Sequence, residues 1–319
     1  MYMHKETENT IRKFCLEGLS LSPGERISGE LELAGGKFSL PAAVVRGTEE
    51  GKTVVITAGI HGGEYVGIQA AVELSQSLKP EKLQGTVIIV KAVSRRAFEH
   101  RAGSMGTEDG RNLNREFPGD SQGSETQQLA WAISGELFGA ADYYIDLHSG
   151  DDYEQLAPYV YYAGKASPEV VEASRKMAEQ VDVPYMVRST VSTGGAYNYA
   201  ASRGIPGVLI ERAAWAPGHR KRCSQPTGCA EYSMQSGDLP GAAGVQNLLS
   251  SGCIGHCVSG RGAYGVLVSQ KDAWGSDPGR RGTGGCERLR KGNVLEVWPG
   301  GVRCVDSLSD GASLQVTGR

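Results

Sequence analysis

The chain has 319 residues, of which 39% are hydrophobic and 22% are charged, with a formal net charge of -3. This length suffices for one large α/β domain, or for a domain of about 200 residues and a smaller one. The small net charge gives no reason to expect a nucleic-acid or membrane-surface partner, and no run of about 18 apolar residues predicts a membrane span. The polar start, MYMHKETENTIRK, lacks the apolar core of a signal peptide, so we expect a cytoplasmic protein.

Strands and helices alternate along the chain. Residues 26–45 alternate like two strands that are joined at Gly35 and Gly36. Four short apolar runs are typical of buried strands, at 52–60, 85–93, 141–150 and 204–212. Helical spacing of apolar residues is found at 64–78, 125–139 (with Ser124 as N-cap) and 168–181. The pattern predicts an α/β fold with a mixed, mostly parallel central sheet flanked by helices.

Polar side chains stand where three of these strands end. The residues are His61 and Glu64 after KTVVITAGI, His148 after YYIDL, and Glu211 after PGVLI. In α/β sheets, ligand sites form at the carboxyl ends of strands, and a polar group that leaves an apolar run needs a partner or a cleft. Two imidazoles and one carboxylate, from His61, His148 and Glu64, are typical of catalytic zinc sites that keep one position free for water. The alternative is that each histidine is a buried structural residue.

Two further features fit a metal centre. The pair Gly62–Gly63 would let the backbone turn sharply, so that His61 and Glu64 reach one ion. Asp146 lies two residues before His148 and therefore points to the same side of the strand. We expect Asp146 to accept a hydrogen bond from the ligating imidazole and so to orient it.

The stretch EDGRNLNREFPG at 108–119 is polar and rich in turn residues, which predicts a loop. Four of its side chains can donate hydrogen bonds: Arg111, Asn112, Asn114 and Arg115. An arginine fork with a neighbouring amide suits a planar carboxylate. The alternative is a solvated loop whose arginines pair with Asp109 or Glu116. The predicted metal centre favours the first interpretation, in which the loop binds a substrate carboxylate.

Four motifs in this order, GIHGGEYVG, RNLNREFPG, IDLHSG and GVLIER, resemble the succinylglutamate desuccinylase/aspartoacylase family, which belongs to the zinc-carboxypeptidase superfamily. The resemblance covers about residues 25–212. It implies one Zn²⁺ per chain, held by His61, Glu64 and His148. It also implies that Glu211 is the general base and later the proton donor.

The same resemblance implies how a substrate binds. Asn114 and Arg115 match the pair that grips the substrate carboxylate, and Arg111 is a further candidate contact in the same loop. Arg101, in AFEHRAG, fits the arginine that precedes this pair and is a candidate catalytic residue, since an arginine near the metal would stabilise the developing oxyanion. The family often carries a second arginine two positions on, where this chain has Gly103.

These inferences predict a zinc-dependent hydrolase that removes the acyl group from an N-acyl amino acid. Zinc would polarise the acyl carbonyl and lower the pKa of its bound water toward about 7, while Glu211 would take up the proton and deliver it to the leaving amine. Two alternatives share this metal centre: a metallocarboxypeptidase that cleaves peptide C-termini, and a metal-binding pseudoenzyme. The expected partner is the small-molecule substrate, without nucleic acid or membrane, and a homo-oligomer is compatible with the sequence.

The character of the sequence changes after Arg212. Six of the seven cysteines follow it, all five phenylalanines precede it, and little periodic apolar patterning remains. We therefore predict an N-terminal segment at 1–24, a zinc-hydrolase domain at 25–212, and an aberrant, irregular tail at 213–319 where the family has the rest of the catalytic domain and a small β-domain. The segment ERAAWAPGHRKRC can be encoded by codons that, when read one nucleotide out of frame, give ERGGMGTWSQEEV. This second text resembles the family's continuation. Our hypothesis is a frameshift near codon 213.

Overall fold

The computed structural model describes residues 12–151, 154 and 156–212, together with two strands at 294–298 and 301–305. The strands in chain order are β1 (Lys13–Phe14), β2 (Arg26–Leu33), β3 (Phe38–Arg46), β4 (Glu49–Ala58), β5 (Gln84–Val90), β6 (Tyr143–Ser149), β7 (Tyr159–Ala163), β8 (Tyr185–Ser189), β9 (Gly207–Arg212), β10 (Val294–Trp298) and β11 (Gly301–Val305). They form one sheet in the order β1-β2-β3-β5-β4-β6-β9-β7-β8-β10-β11.

The centre of this sheet is parallel and its flanks are mixed. β5, β4, β6 and β9 run parallel to one another, whereas β3 pairs antiparallel with both β2 and β5. β7 lies antiparallel to β9 and parallel to β8. The predicted fold class, a mixed and mostly parallel sheet flanked by helices, is confirmed.

The helices in the described part of the chain are α1 (Tyr65–Ser77), α2 (Arg95–His100), α3 (Glu125–Ala132), α4 (Pro168–Glu179) and α5 (Ala196–Ser202). α3 continues as a π-turn over Ile133–Leu137, and 3₁₀ turns occupy Ala34–Gly36, Pro80–Lys82 and Leu113–Arg115. α3 begins after Ser124, as the sequence predicts. No helix among these described residues is long and apolar enough to cross a membrane.

Five elements before residue 212 differ from the sequence-based expectation, since no pattern predicted the two-residue strand β1 or the elements β7, β8, α2 and α5. β7 and β8 have five residues each, which is too short for period-2 alternation to stand out. α2 and α5 have six and seven residues. Helices this short owe their stability to packing rather than to intrinsic propensity, so their sequences carry little signal.

Alternate residues of the central strands face two hydrophobic cores, one on each side of the sheet. On one side Val55, Tyr144 and Leu209 pack with α3 and α5. On the other side Ile56 and Ile210 pack with α1 and α4. Full burial of one such isoleucine stabilises the fold by about 1.5–3 kcal/mol, so a charged side chain on either side of the sheet needs a compensating partner.

Strand register aligns several polar residues on the first of these two sides. His148 of β6 lies directly opposite Glu211 of β9, and Glu211 lies opposite Tyr159 of β7. Asp146 of β6 lies opposite Thr57 of β4. Directly opposite residues of neighbouring strands project to the same face of a sheet. The first core therefore ends in polar groups at the carboxyl ends of β6 and β9.

Most of the predicted aberrant tail at 213–319 lies outside the described residues. The described part, β10 and β11, pairs antiparallel, and β10 lies parallel to β8 at the edge of the sheet. Residues 1–11 of the predicted N-terminal segment also lie outside the description, while β1 pairs parallel with β2. The proposed division at 24 and at 212 stays a prediction.

Candidate active site

His61, Glu64 and His148 converge on one point beside the ends of β4 and β6. Nδ1 of His61 lies 2.6 Å from Oε1 of Glu64, and Nδ1 of His148 lies 2.8 Å from Oε2 of Glu64. The ligand atoms of the three residues all lie within 4.8 Å of one another. The two imidazole rings meet edge to face, with 5.1 Å between their centroids. The structure thus brings together the three side chains that the sequence singles out as metal ligands.

The loop between β4 and α1 carries His61 and Glu64. Glu64 stands directly before α1, and its Oε2 accepts a hydrogen bond of 3.1 Å from the backbone N–H of Ser149. The loop also packs against α2, so closely that a Cβ atom on Gly62 would lie 2.4 Å from the backbone N of Phe98. Only a residue without a side chain fits at this contact.

The glycine pair forms the turn that the sequence predicts. Gly62 and Gly63 are the central residues of a turn that the N–H of Glu64 closes on the carbonyl oxygen of His61 at 3.3 Å. They also allow close approach to neighbouring segments. A Cβ atom on Gly63 would lie 2.0 Å from Oδ1 of Asp151. The pair therefore brings this loop against α2 and against the segment that follows β6.

The second nitrogen of each imidazole faces a side-chain oxygen. Nε2 of His61 lies 3.0 Å from Oδ1 of Asn112, and the same oxygen accepts a 2.9 Å hydrogen bond from the N–H of Asn114. Nε2 of His148 lies 3.0 Å from Oδ2 of Asp146. The two atoms are close enough for an ion pair, but they do not form a hydrogen bond with each other. Both rings therefore present Nδ1 to the point where the ligands meet, which is the arrangement that outer contacts of a metal site produce.

Asp146 is held from its other side by two buried hydroxyl groups. Its Oδ1 accepts a 2.8 Å hydrogen bond from Oγ1 of Thr57, which lies 2.5 Å from the hydroxyl of Tyr144. All three side chains are fully buried. Burial and the charge of Asp146 raise the pKa of Tyr144 well above its usual value, so the phenol keeps its proton. This polar row fixes the carboxylate that faces His148.

The charges at this point favour a cation. Burial acts to raise the pKa of Glu64, but the charges and hydrogen bonds of His148 and His61 bring it down to about 2. Burial disfavours a charged His148, yet the carboxylates of Asp146 and Glu64 raise its pKa well above the usual value. A metal ion competes with protons for such ligands. Two imidazole nitrogens and one carboxylate within reach of one point fit a divalent metal ion.

Glu211 stands beside this group, opposite His148. Burial raises the pKa of Glu211 to about 8, while the charge of His148 acts to lower it and those of Glu64 and Asp146 raise it further. Its Oε2 is buried and has no hydrogen-bond partner within the described part of the chain. A carboxyl group with a pKa near neutrality and an unused oxygen can exchange a proton with a reacting molecule.

The turn Leu113–Arg115 places the two residues that match the family's carboxylate-gripping pair. Asn114 is buried, and its Oδ1 accepts a 2.9 Å hydrogen bond from the N–H of Ala196 at the start of α5. Arg115 is exposed, and its Nη1 donates to the carbonyl oxygen of Asn114 at 2.9 Å. Asn114 therefore joins this turn to α5, and Arg115 lies beside it at the surface.

The other two arginines, Arg111 and Arg101, are also exposed. Nη1 of Arg111 lies 3.2 Å from Oε1 of Glu116, which is the pairing considered as the alternative for this loop. Arg101 ends α2 in a left-handed conformation with φ of 56° and is exposed. Within the described residues, neither arginine forms an ion pair with Glu64 or Glu211.

The sequence did not predict the positions of three residues near the site. Asn112 was assigned to the loop at 108–119 that was expected to bind the substrate carboxylate. Its side chain instead contacts His61, which lies 51 residues earlier in the chain. Tyr159 lies opposite Glu211, and Tyr161 projects from the same face of β7. The only signal for the tyrosines is their alternation in YVYY, which is typical of a strand with one aromatic face. It does not say which strand lies beside it.

The comparison with protein families agrees with the motifs. The family model described as the succinylglutamate desuccinylase/aspartoacylase catalytic domain matches residues 50–226, which is more than half of the chain. The chain belongs to this family. The resemblance carried by the four sequence motifs is thereby confirmed, and the match to the family extends beyond Arg212.

A curated relative of this family member is N-alpha-acetyl-L-2,4-diaminobutyric acid deacetylase of Halomonas elongata. The two are 36% identical over 158 residues, which are 49% of this chain and 45% of the relative. The chain thus spans less than half the length of this relative.

Solved structures share the fold over a similar part. A succinylglutamate desuccinylase from Silicibacter sp. is 27% identical with a TM-score of 0.54, and the match covers 61% of each chain. The product-bound ectoine utilization protein EutE (DoeB) from Ruegeria pomeroyi is 27% identical with a TM-score of 0.54, covering 61% of this chain and 62% of that one. A protein of the family from Rhodobacter sphaeroides is 28% identical with a TM-score of 0.52, covering 59% and 58%.

Proposed function

We propose that this protein is a zinc-dependent hydrolase that removes the acyl group from an N-acyl amino acid. The observation that carries the proposal is the convergence of His61, Glu64 and His148 within 4.8 Å, with the partly buried Glu211 opposite His148. Membership of a deacylase family supports it. So does the deacetylase from Halomonas elongata.

Zinc is the metal that we propose for this site. Two imidazoles and one carboxylate leave a fourth position open, as in catalytic zinc sites. The Nε2 contacts with Asn112 and Asp146 would orient the two imidazoles toward the ion. When bound there, the ion would supply Lewis acidity toward the acyl carbonyl and toward the attacking water.

The residues of the chain divide the remaining tasks. Glu211 takes a proton from the attacking water and then gives it to the leaving amine, so that its protonation state is restored after each turnover. Arg115 binds the carboxylate of the amino-acid part of the substrate, and Asn114 keeps the turn that carries Arg115 against α5. Arg101 is the further arginine that we propose for the developing oxyanion.

The first substrate to test follows from the relative, whose name states an N-acetylated 2,4-diaminobutyric acid. A panel would contain that compound, other N-acetyl amino acids, N-succinyl amino acids and short peptides, with zinc content measured on the same sample. Release of a free amino acid from N-acyl substrates alone is the expected result. Cleavage of peptide C-termini alone would favour a metallocarboxypeptidase, and bound zinc without any turnover would favour a pseudoenzyme.

We further infer that residues 213–319 result from a shift of the reading frame near codon 213 of the gene, although the match to the family model runs on to residue 226. Support comes from the abrupt change in composition after Arg212 and from the family-like text that a one-nucleotide shift produces. Sequencing the gene together with an intact mass of the protein tests this. A gene that encodes these residues as written, with no family-like text in an adjacent frame, would overturn the inference.

A further inference from the structure

β7 places two phenol groups beside the proposed proton-transfer residue. β7 and β9 are antiparallel, with Tyr159 opposite Glu211 and Tyr161 opposite Leu209. Because alternate residues of a strand share a face, both tyrosine side chains project to the side of the sheet that carries Glu211 and His148. The sheet therefore continues the row of polar groups from β6 and β9 onto β7.

Ring contacts connect these tyrosines to the turn that carries Arg115. The rings of Tyr159 and Tyr161 meet edge to face at 5.2 Å, and Tyr161 stacks on Tyr197 of α5 at 6.2 Å. Tyr197 follows Ala196, whose N–H is bound by the side chain of Asn114. Tyr161 thus lies between Glu211 on one side and the helix α5, which contacts the turn Leu113–Arg115, on the other.

The charges around Tyr161 agree with this position. Burial and the Glu211 carboxylate raise the pKa of Tyr161, whereas the Tyr159 hydroxyl and the Arg115 guanidinium lower it. Burial and the Glu211 carboxylate also raise the pKa of Tyr159, and its contact with Tyr161 adds to this. Since its pKa is raised, the Tyr161 hydroxyl keeps its proton and can donate a hydrogen bond.

An anion bound by Arg115 would come close to the Tyr161 hydroxyl, because Tyr161 packs on Tyr197 of α5 and Asn114 ties the turn that carries Arg115 to the start of the same helix. We propose that Tyr161 is a substrate-binding residue that donates a hydrogen bond to the carboxylate of the amino-acid part, beside Arg115. Tyr159 is a positioning residue that holds the Tyr161 oxygen from the opposite side. This inference rests on the proposed function, since it assigns a second donor to the carboxylate of the same substrate.

The test compares two probes that differ in one carboxylate. Titration calorimetry on the zinc-loaded full chain measures the Kd of L-2,4-diaminobutyrate and of 1,3-diaminopropane, which lacks the carboxylate. Tyr161→Phe should weaken binding of the amino acid about tenfold, the loss expected for a hydrogen bond to a charged group, and leave binding of the diamine unchanged. Tyr159→Phe should show a smaller loss with the same selectivity.

Tyr143→Phe is the matched control, because Tyr143 begins β6 and faces the opposite core. It should change neither Kd. Equal Kd values for the amino acid in Tyr161→Phe and wild type would overturn the inference, as would an equal loss for both probes, which indicates a packing role. Hydrolysis of N-acetyl-L-2,4-diaminobutyrate by the wild type is measured separately. A wild type that neither binds the amino acid nor hydrolyses this compound would overturn the proposed substrate and the inference together.

Discussion

The two halves of the candidate metal centre are held in different ways. In the strand half, His148 and Glu211 stand opposite each other on β6 and β9, so their places follow from strand register. In the loop half, His61 and Glu64 lie between β4 and α1. Individual contacts set the place of this loop, among them those with Asn112, with the N–H of Ser149 and with the backbone of α2. The strand half is therefore a property of the sheet, whereas the loop half depends on a few individual contacts.

This difference gives the two halves different weak points. Substitution of a strand-half side chain should change the chemistry and leave the framework intact. Substitution at the contacts of the loop half should change metal affinity or stability, even where the substituted residue touches neither substrate nor metal.

The largest effect is expected for Glu211→Gln in the strand half. Glutamine has the same shape but cannot take up the proton, so kcat should fall by about 10²–10⁴-fold. Zinc content should stay at the wild-type level, because no proposed ligand is changed. Steady-state kinetics and metal analysis on one sample measure both. Unchanged kcat would assign the proton transfer to another residue and remove Glu211 from the strand half.

A direct comparison of the halves uses the oxygens that face Nε2. Asn112→Ala removes the partner of His61, and Asp146→Asn removes the charge beside His148. Each should weaken zinc binding by about 10–100-fold, measured by competition with a chelator. Because no strand register supports His61, Asn112→Ala should lose at least as much affinity as Asp146→Asn. A larger loss of zinc affinity in Asp146→Asn than in Asn112→Ala would contradict the idea that the loop half depends more on individual contacts.

Packing of the loop half can be tested at Gly62. Gly62→Ala would place a Cβ atom 2.4 Å from the backbone N of Phe98, and such overpacking should lower the free energy of unfolding by about 1–3 kcal/mol. The matched control is Gly135→Ala, where an added Cβ atom meets nothing within 4 Å and where alanine favours the helix. Urea denaturation measures both. Equal stability of Gly62→Ala and wild type would show that the loop can shift without strain.

The smallest effect concerns the loop at 108–119, which supplies Asn112 to the loop half. Asp109 accepts hydrogen bonds from the hydroxyl and the N–H of Thr126, at 2.7 and 3.0 Å. Burial acts to raise the pKa of Asp109. Its contacts with Ser124 and Thr126 outweigh burial and bring the pKa down to about 2.

This pKa lies below that of an unfolded aspartate, about 3.9. The ionised Asp109 therefore stabilises the fold above pH 4, and this stabilisation is lost as the pH falls from about 4 to about 2. Asp109→Asn should lower the free energy of unfolding by about 1 kcal/mol at pH 7 and flatten its pH dependence in that range. Parallel pH profiles of variant and wild type would show that Asp109 does not anchor this loop.

The strand half is also the part that the sequence predicts best. His148 and Glu211 interrupt apolar runs, and few positions in a parallel sheet accept a charged side chain at such a point. The spacing of Asp146 and His148 then determines that they share a face. For the same reason the sequence locates His61 and Glu64 at the end of β4.

What the sequence does not contain is the path of the chain between these points. The contact from Asn112 to His61 depends on how a loop without periodic pattern returns to the site. β7 inserts between β9 and β8, out of chain order, so the alternation in YVYY cannot reveal that Tyr159 lies beside Glu211. Arg111 and Arg115 offer the same donor groups. What distinguishes Arg111 is its contact with Glu116, which the sequence predicts only as one of two alternatives.

The buried polar row of Thr57, Tyr144 and Asp146 has a consequence for selection. Apolar side chains of similar size would fill this part of the first core without desolvated charge, and such replacements in other proteins are neutral or stabilising by about 1–4 kcal/mol. We therefore expect this row to make the core less stable than apolar residues would, while it holds the carboxylate that faces His148. Variants selected for heat resistance alone should accumulate apolar residues in this row and lose metal affinity, so thermal tolerance and activity oppose each other at these three positions.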